Sequence, residues 1–183
     1  MKPSIEPAIL ARKPMTGTVA DCVQEHGTGA INIDACRIAP GEKAWPGPSD
    51  DGDERWPANL YHCPKPSTSE REAGTEGRAA DRERGNTHPT VKPIRLMKWL
   101  VRLVTRPGGV VLEPFAGSGT TLLAAEIADI GAQCVAIEKE PEYVEIIRER
   151  FGAREVLRRM LSGPVSQPER DALAVQISLF GDL

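Results

Sequence analysis

Residues 110–121, VVLEPFAGSGTT, join a short apolar run to a carboxylate, an aromatic ring and two closely spaced glycines. Glycine at 117 and 119 lets a backbone approach a ligand where a Cβ would collide with it. The threonines that follow open a helical pattern, and a helix N-terminus offers free N–H groups and a positive dipole end to anionic or polar groups. Twenty-one residues after Gly117 stands Glu138, closing a second apolar run, CVAI. A carboxylate at the end of a parallel strand typically accepts the hydroxyls of a ribose. The set fits a dinucleotide or an adenosyl group. A dinucleotide fingerprint asks for a third glycine three residues after the second, where Leu122 stands, so the pyrophosphate cradle is weakened.

These residues need a scaffold, and the flanking pattern supplies one. In PIRLMKWLVRLVT the apolar Ile94, Met97, Leu100, Val101 and Val104 recur at helical spacing, with Arg95, Lys98 and Arg102 on another face and Pro93 at the start. RPGG breaks that helix. VVL then reads as a buried strand, TTLLAAEIAD as a helix ended by Gly131, CVAIE as a second buried strand, and PEYVEIIRERF as a helix opened by Pro141. Strand, helix, strand, helix implies a parallel pair with right-handed crossover. The expected fold class is α/β and Rossmann-like. Upstream, IEPAILARK reads as a short strand and TVADCVQEHG as a helix ending at Gly27. PGEKAWPGPSDDGDERWP reads as a long loop, and the polar stretch STSEREAGTEGRAADRERGN is expected to lack packed structure.

Composition narrows the class. The chain has 183 residues, 40% hydrophobic and 27% charged, enough for one domain with a core. No apolar run approaches the roughly 18 residues of a membrane span, and the N-terminus does not read as a signal peptide, so a cytoplasmic protein is expected. The four cysteines form no C-x-x-C pair, so no metal site is expected. Net charge is −3, yet eight Lys or Arg between Arg78 and Arg106 face only Asp81 and Glu83. Such a patch can follow a phosphate backbone, with Arg82, Arg84, Arg95 and Lys98 as candidate contacts.

The blocks NTHPTVKP, LVTRPGGVVLEPFAGSGTT and CVAIEKEPEYVEIIRERF together resemble the C-terminal half of the permuted, beta-class DNA amino-methyltransferases. The resemblance covers residues 86–152 closely. It is looser upstream, where KPSIEPAILARKP and GTGAINIDACRI look like pieces of such enzymes from bacteria and their phages. It implies a Rossmann-like S-adenosylmethionine-dependent methyltransferase fold and methyl transfer from S-adenosylmethionine to the exocyclic amine of adenine or cytosine in DNA. By position it puts Glu113, Phe115, Ala116, Gly117, Ser118 and Gly119 around the methionine part of the cofactor. Glu138 would hold the ribose, and His88, Pro89, Thr90 and Lys92 would close the pocket. The family more often has Asp where Glu113 stands.

The family activates the amine with an Asp/Asn/Ser-Pro-Pro-aromatic tetrapeptide, whose acceptors bind the amine while its ring stacks on a flipped base. None of the sixteen prolines here adjoins another, so no catalytic residue is identified and the sheet is expected to be incomplete. Residues 1–85 would hold a remnant of the catalytic edge plus target-recognition loops. Residues 86–152 would be the cofactor-binding α/β unit, and 153–183 a tail. The expected function is a partial or split DNA methyltransferase, with a separate catalytic half as a possible partner. The alternatives are a catalytically silent DNA- or clamp-associated binding protein and a small nucleotide-dependent oxidoreductase. In the tail, QISLF (Gln176 to Phe180) resembles a sliding-clamp-binding peptide, with Leu179 and Phe180 as apolar anchors. Gly117→Val is expected to abolish cofactor binding in a calorimetric titration, by filling the space the ligand needs.

Overall fold

The computed structural model describes residues 8–37, 63–81 and 85–161. The loop around Trp45 and Trp56, Arg82, Arg84 and the peptide 176–180 lie outside the described residues. The chain divides into two compact units, Met1–Ile31 and Asn32–Leu183. In the first, residues 8–15 form no strand, contrary to expectation. Pro14 cannot donate to a ladder, and α1 (Val19–His26) follows instead. A capping box of Thr18 and Asp21 opens this helix, and Gly27 closes it at φ 66°.

The second unit is built on α4 (Thr120–Ile127), which is buried along almost its whole length. On one side Leu122, Ala125 and Ala128 pack with Val111, Cys134 and Ala136 of a two-stranded parallel sheet. Its strands are β1 (Val110–Glu113) and β2 (Gln133–Ala136), paired Val110 to Gln133 through Glu113 to Ala136. On the other side Leu123, Ala124 and Ile127 pack against Ala73, Ile94 and Leu157. These belong to the turn after α2 (Thr68–Glu72), to α3 (Ile94–Val104) and to α6 (Arg154–Leu161). The helix α5 (Pro141–Gly152) has proline in its first turn, as expected.

Three expectations are corrected. Neither strand is buried on both faces: Val110 and Leu112 are 63% and 64% exposed, because among the described residues the helices cover the sheet on one side. The helix after the glycine loop ends at Ile127, before Gly131, and Asp129 adopts φ 56°. Arg102 Nε donates to the Ala128 carbonyl at 2.9 Å and Arg158 Nη2 to that of Glu126 at 3.3 Å, so two cations cap that end. Lastly, the polar stretch after residue 66 is packed. It carries α2 and a 3-10 turn (Glu76–Asp81), and Ala73, Thr75 and Asn86 are buried. Polar residues do this through hydrogen bonds: Asn86 donates its N–H to Glu72 Oε2 and its side-chain amide to the Arg71 carbonyl, both at 2.9 Å. Glu70 Oε1 accepts from the Ile94 N–H at 2.7 Å, supplying α3 with the cap that Pro93 cannot.

The turn after α2 approaches α5 closely. Gly74 sits at φ +85°, and a Cβ there would lie 2.5 Å from the Glu149 carbonyl oxygen. Gly74→Ala is therefore expected to cost roughly 1–3 kcal/mol, read as a lower urea midpoint. An unchanged midpoint would mean that this segment does not rest on α5.

Candidate functional site

The glycine loop is shaped by two carboxylates. Glu113, the last residue of β1, accepts from the Phe115 N–H at 3.1 Å and from the Thr121 hydroxyl at 2.8 Å. It thereby spans the loop from strand end to helix start. Glu138, two residues past β2, accepts from the Gly117 N–H at 2.7 Å and from the Glu140 N–H at 3.0 Å. Each Glu138 oxygen thus takes one N–H and keeps a lone pair, and the side chain is half-buried. Gly117 and Gly119 adopt φ 57° and 76°, where other residues are strained.

Over the loop lies His88. A Cβ on Gly117 would fall 2.8 Å from His88 Nε2, so the imidazole would have to shift for any other residue, a contact within the protein beside the ligand clash inferred from sequence. Thr90 N–H donates to His88 Nδ1 at 3.3 Å, which leaves the proton of the neutral ring on Nε2. Tyr143 meets the ring edge-on with centroids 4.7 Å apart, and the Thr87 hydroxyl donates to Glu142 at 3.2 Å. Burial holds the His88 pKa below the ordinary histidine value. Glu138 opposes the shift, while Arg150, Arg71 and Lys92 reinforce it.

Beneath the loop lies Arg150, fully buried. Its Nη1 donates to the Ser118 carbonyl at 2.6 Å and to the Ser118 hydroxyl at 3.1 Å, and Nη2 reaches the Glu70 carbonyl at 3.3 Å. Burial lowers its pKa to about 10, against the pull of Glu70 and Glu72, so it remains a cation at neutral pH. Ile147 packs under Gly119. Tyr143, Ile147 and Arg150 follow at i, i+4 and i+7, one stripe of α5. None of the three was singled out from the sequence as a site residue, although an arginine on the apolar stripe of a helix was a readable signal.

A family model described as DNA methylase, of the N6/N4 methyltransferase type, matches residues 5–149. The chain belongs to this DNA methylase family. It is similar to the Type II methyltransferase M.HindIII of Haemophilus influenzae, 45% identical over 65 residues, which are 36% of this chain and 20% of that protein. It is also similar to the Type II methyltransferase M2.DpnII of Streptococcus pneumoniae, 39% identical over 66 residues, 36% of this chain and 24% of that protein. The chain thus matches a fifth to a quarter of the length of these curated relatives. Among solved structures, M1.HpyAVI in complex with SAM aligns at 26% identity and a TM-score of 0.35, over 60% of this chain and 44% of that one. A DNA modification methylase of Thermus thermophilus, TTHA0409 complexed with S-adenosyl-L-methionine, aligns at 23% identity and a TM-score of 0.32, over 84% and 60%.

In this member of the family, the residues expected around a cofactor differ in exposure. Phe115 is 87% exposed beside the loop, whereas Ala116 and Ser118 are buried, Ser118 against Arg150. Pro89 and Thr90 form an exposed turn next to His88, and Lys92 is half-buried. Of the candidate DNA contacts, Arg95 is exposed on α3. Lys98 is half-buried, its pKa lowered by burial and then by Arg102, Arg158 and Arg95, against the pull of Asp129. Arg102 and Arg158 cap the C-terminal end of α4. The glycine loop is at its other end, about 12 Å away at 1.5 Å per residue.

The depressed His88 pKa sets a sign for stability. As pH falls below about 6.5, the unfolded chain takes up a proton that folded His88 resists. Stability is then lost until the folded pKa is passed. Between pH 7.5 and 5, the urea midpoint of the native protein is expected to fall further than that of His88→Asn. Equal falls would mean that the imidazole is not packed in its neutral form.

Proposed function

We propose that this chain is the S-adenosylmethionine-binding, C-terminal half of a permuted, beta-class DNA amino-methyltransferase, acting on the exocyclic amine of adenine or cytosine in DNA. The observation that carries the reading is the Glu138 carboxylate at the end of β2, tied to the glycine loop through Gly117. Two N–H donors hold it as an oriented anion, and its remaining lone pairs suit two ribose hydroxyls. The residues fit the cofactor: Glu113, Phe115 and the backbone of 116–119 would hold its methionine part, Glu138 the ribose, and His88, Pro89, Thr90 and Lys92 the open side. A neutral His88 adds no positive charge beside a sulfonium. The cofactor would supply an electrophilic methyl group.

The described residues of this chain are assigned to binding and orienting, and the sequence holds no Pro-Pro pair for the tetrapeptide that accepts the target amine. The half-covered sheet supports a partial or split form. Parallel sheets are ordinarily covered on both faces, yet Val110 and Leu112, with Phe115 and Ile137 near the strand ends, are all more than half exposed. A separate polypeptide bearing the Asp/Asn/Ser-Pro-Pro-aromatic tetrapeptide would complete that side. DNA phosphates are assigned to Arg82, Arg84, Arg95 and Lys98, the last a half-buried residue. Residues 176–180 are assigned to a sliding clamp on their sequence alone. Membership in the DNA methylase family disfavours the oxidoreductase.

Calorimetric titration with S-adenosylmethionine is expected to show saturable binding, weakened at least about tenfold in Glu138→Ala, since a hydrogen bond to a charged group contributes about 1.5–3 kcal/mol. Methyl incorporation into DNA is expected only when the catalytic half is supplied. A folded protein that does not bind the cofactor would overturn the assignment.

A further inference from the structure

We propose that Arg150 is a positioning residue, which holds the glycine loop in its ligand-ready shape by gripping Ser118 from inside the fold and anchoring that grip on α2. Arg150 stands twelve residues beyond Glu138 and touches neither Glu138 nor His88 by a hydrogen bond, yet it reaches the centre of the loop.

The argument rests on what else fixes the loop. Three of its N–H groups have partners: Ala116 N–H donates to the Ile137 carbonyl at 2.9 Å, Gly117 N–H to Glu138, and Gly119 N–H, within the loop, to the Ala116 carbonyl at 2.8 Å. The Ser118 carbonyl, between two glycines in left-handed conformation, is held by Arg150 Nη1. Peptides flanked by glycine rotate at little steric cost, so this carbonyl needs a strong partner to stay turned inward. The same nitrogen reaches the Ser118 hydroxyl and, at 3.4 Å, that of Thr120.

The other end of the guanidinium is fixed by α2. Nη2 donates to the Glu70 carbonyl, while Glu70 Oε1 caps α3 at Ile94. Glu72 Oε2 holds Asn86, whose side-chain oxygen accepts from the His88 N–H at 3.1 Å. One planar cation thereby ties the loop below the ligand side to the segment carrying His88 above it. A planar fork serves two carbonyls at once; an ammonium is a compact point charge without that geometry. Arg150→Lys therefore keeps the charge and breaks the bridge.

The first test needs no ligand. Hydrogen exchange is measured at the amides of Ala116, Gly117 and Gly119 in Arg150→Lys and in Ile127→Val, a core change at the opposite end of α4. In Arg150→Lys those amides are expected to exchange about tenfold faster, the loss of roughly one hydrogen bond to a charged group, while β2 amides keep their rates. Ile127→Val should leave the loop amides protected relative to β2. Ser118→Ala removes only the hydroxyl contact and is expected to speed the same amides several-fold with the fold intact, so it decides the matter even if the lysine variant does not fold. Loop rates unchanged in the folded variants, or raised equally throughout the domain, would overturn the proposal.

The ligand consequence rests on the S-adenosylmethionine reading. By calorimetry, Arg150→Lys is expected to bind at least about tenfold more weakly, and Ile127→Val like the native protein. Native binding with an unaltered lysine variant would overturn the positioning role. A native protein that binds no S-adenosylmethionine would defeat the cofactor reading, and the exchange rates alone would then judge Arg150.

Discussion

The structure of the second unit depends on a cation that water cannot reach. Moving a guanidinium out of solvent costs several kcal/mol after relaxation, and Arg150 is fully buried with its Nε unpartnered. The offset comes from the Ser118 and Glu70 carbonyls, two hydroxyls and the nearby carboxylates of Glu70 and Glu72. Each of those partners is itself committed. Glu70 caps α3, Glu72 holds Asn86, and Ser118 lies between the two loop glycines. The arrangement is a polar network that links α2, α5 and the glycine loop, and the carbonyls turned toward the charge offset its desolvation.

That network explains which parts of the molecule were legible. The βαβα succession, the helix starting after Pro93, α1 with its terminal Gly27 and the glycine loop with Glu138 all followed from local signals: apolar period, proline at helix starts, glycine at turns. The segment around α2 was misread because its cohesion is polar. Residues 67–81 offer little apolar surface, and their order comes from hydrogen bonds to Asn86, Ile94 and Arg150. Periodicity carries no trace of such partners. Within the basic stretch, two cations have partners that a charge count does not show. Charge counting treats each cation as free, whereas Arg102 is spent on the carbonyl of Ala128 and Arg78 on a two-oxygen grip of Glu149.

The sheet shows the same dependence on context. VVL has the composition of a strand covered on both faces. In this chain Val111 enters the core while Val110 and Leu112 face outward. The sequence of β1 therefore describes surroundings that the described residues supply on one side only.

The reliance of α2 on α5 also has a temporal side. Glu70 and Arg150 are 80 residues apart, and Arg78 and Glu149 are 71 apart, whereas β1, α4 and β2 join through one short crossover. Loop-closure entropy makes distant contacts form after near ones. At translation rates of ~5–20 residues per second, α2 leaves the ribosome roughly 4–16 s before the arginine that will hold it. During that interval its glutamates are solvated and its short helix has no tertiary support. Nascent chains of this protein thus pass through a stage in which the βαβ unit has yet to exist and α2 is unanchored. The floor of the candidate site then closes only after Arg150 has emerged.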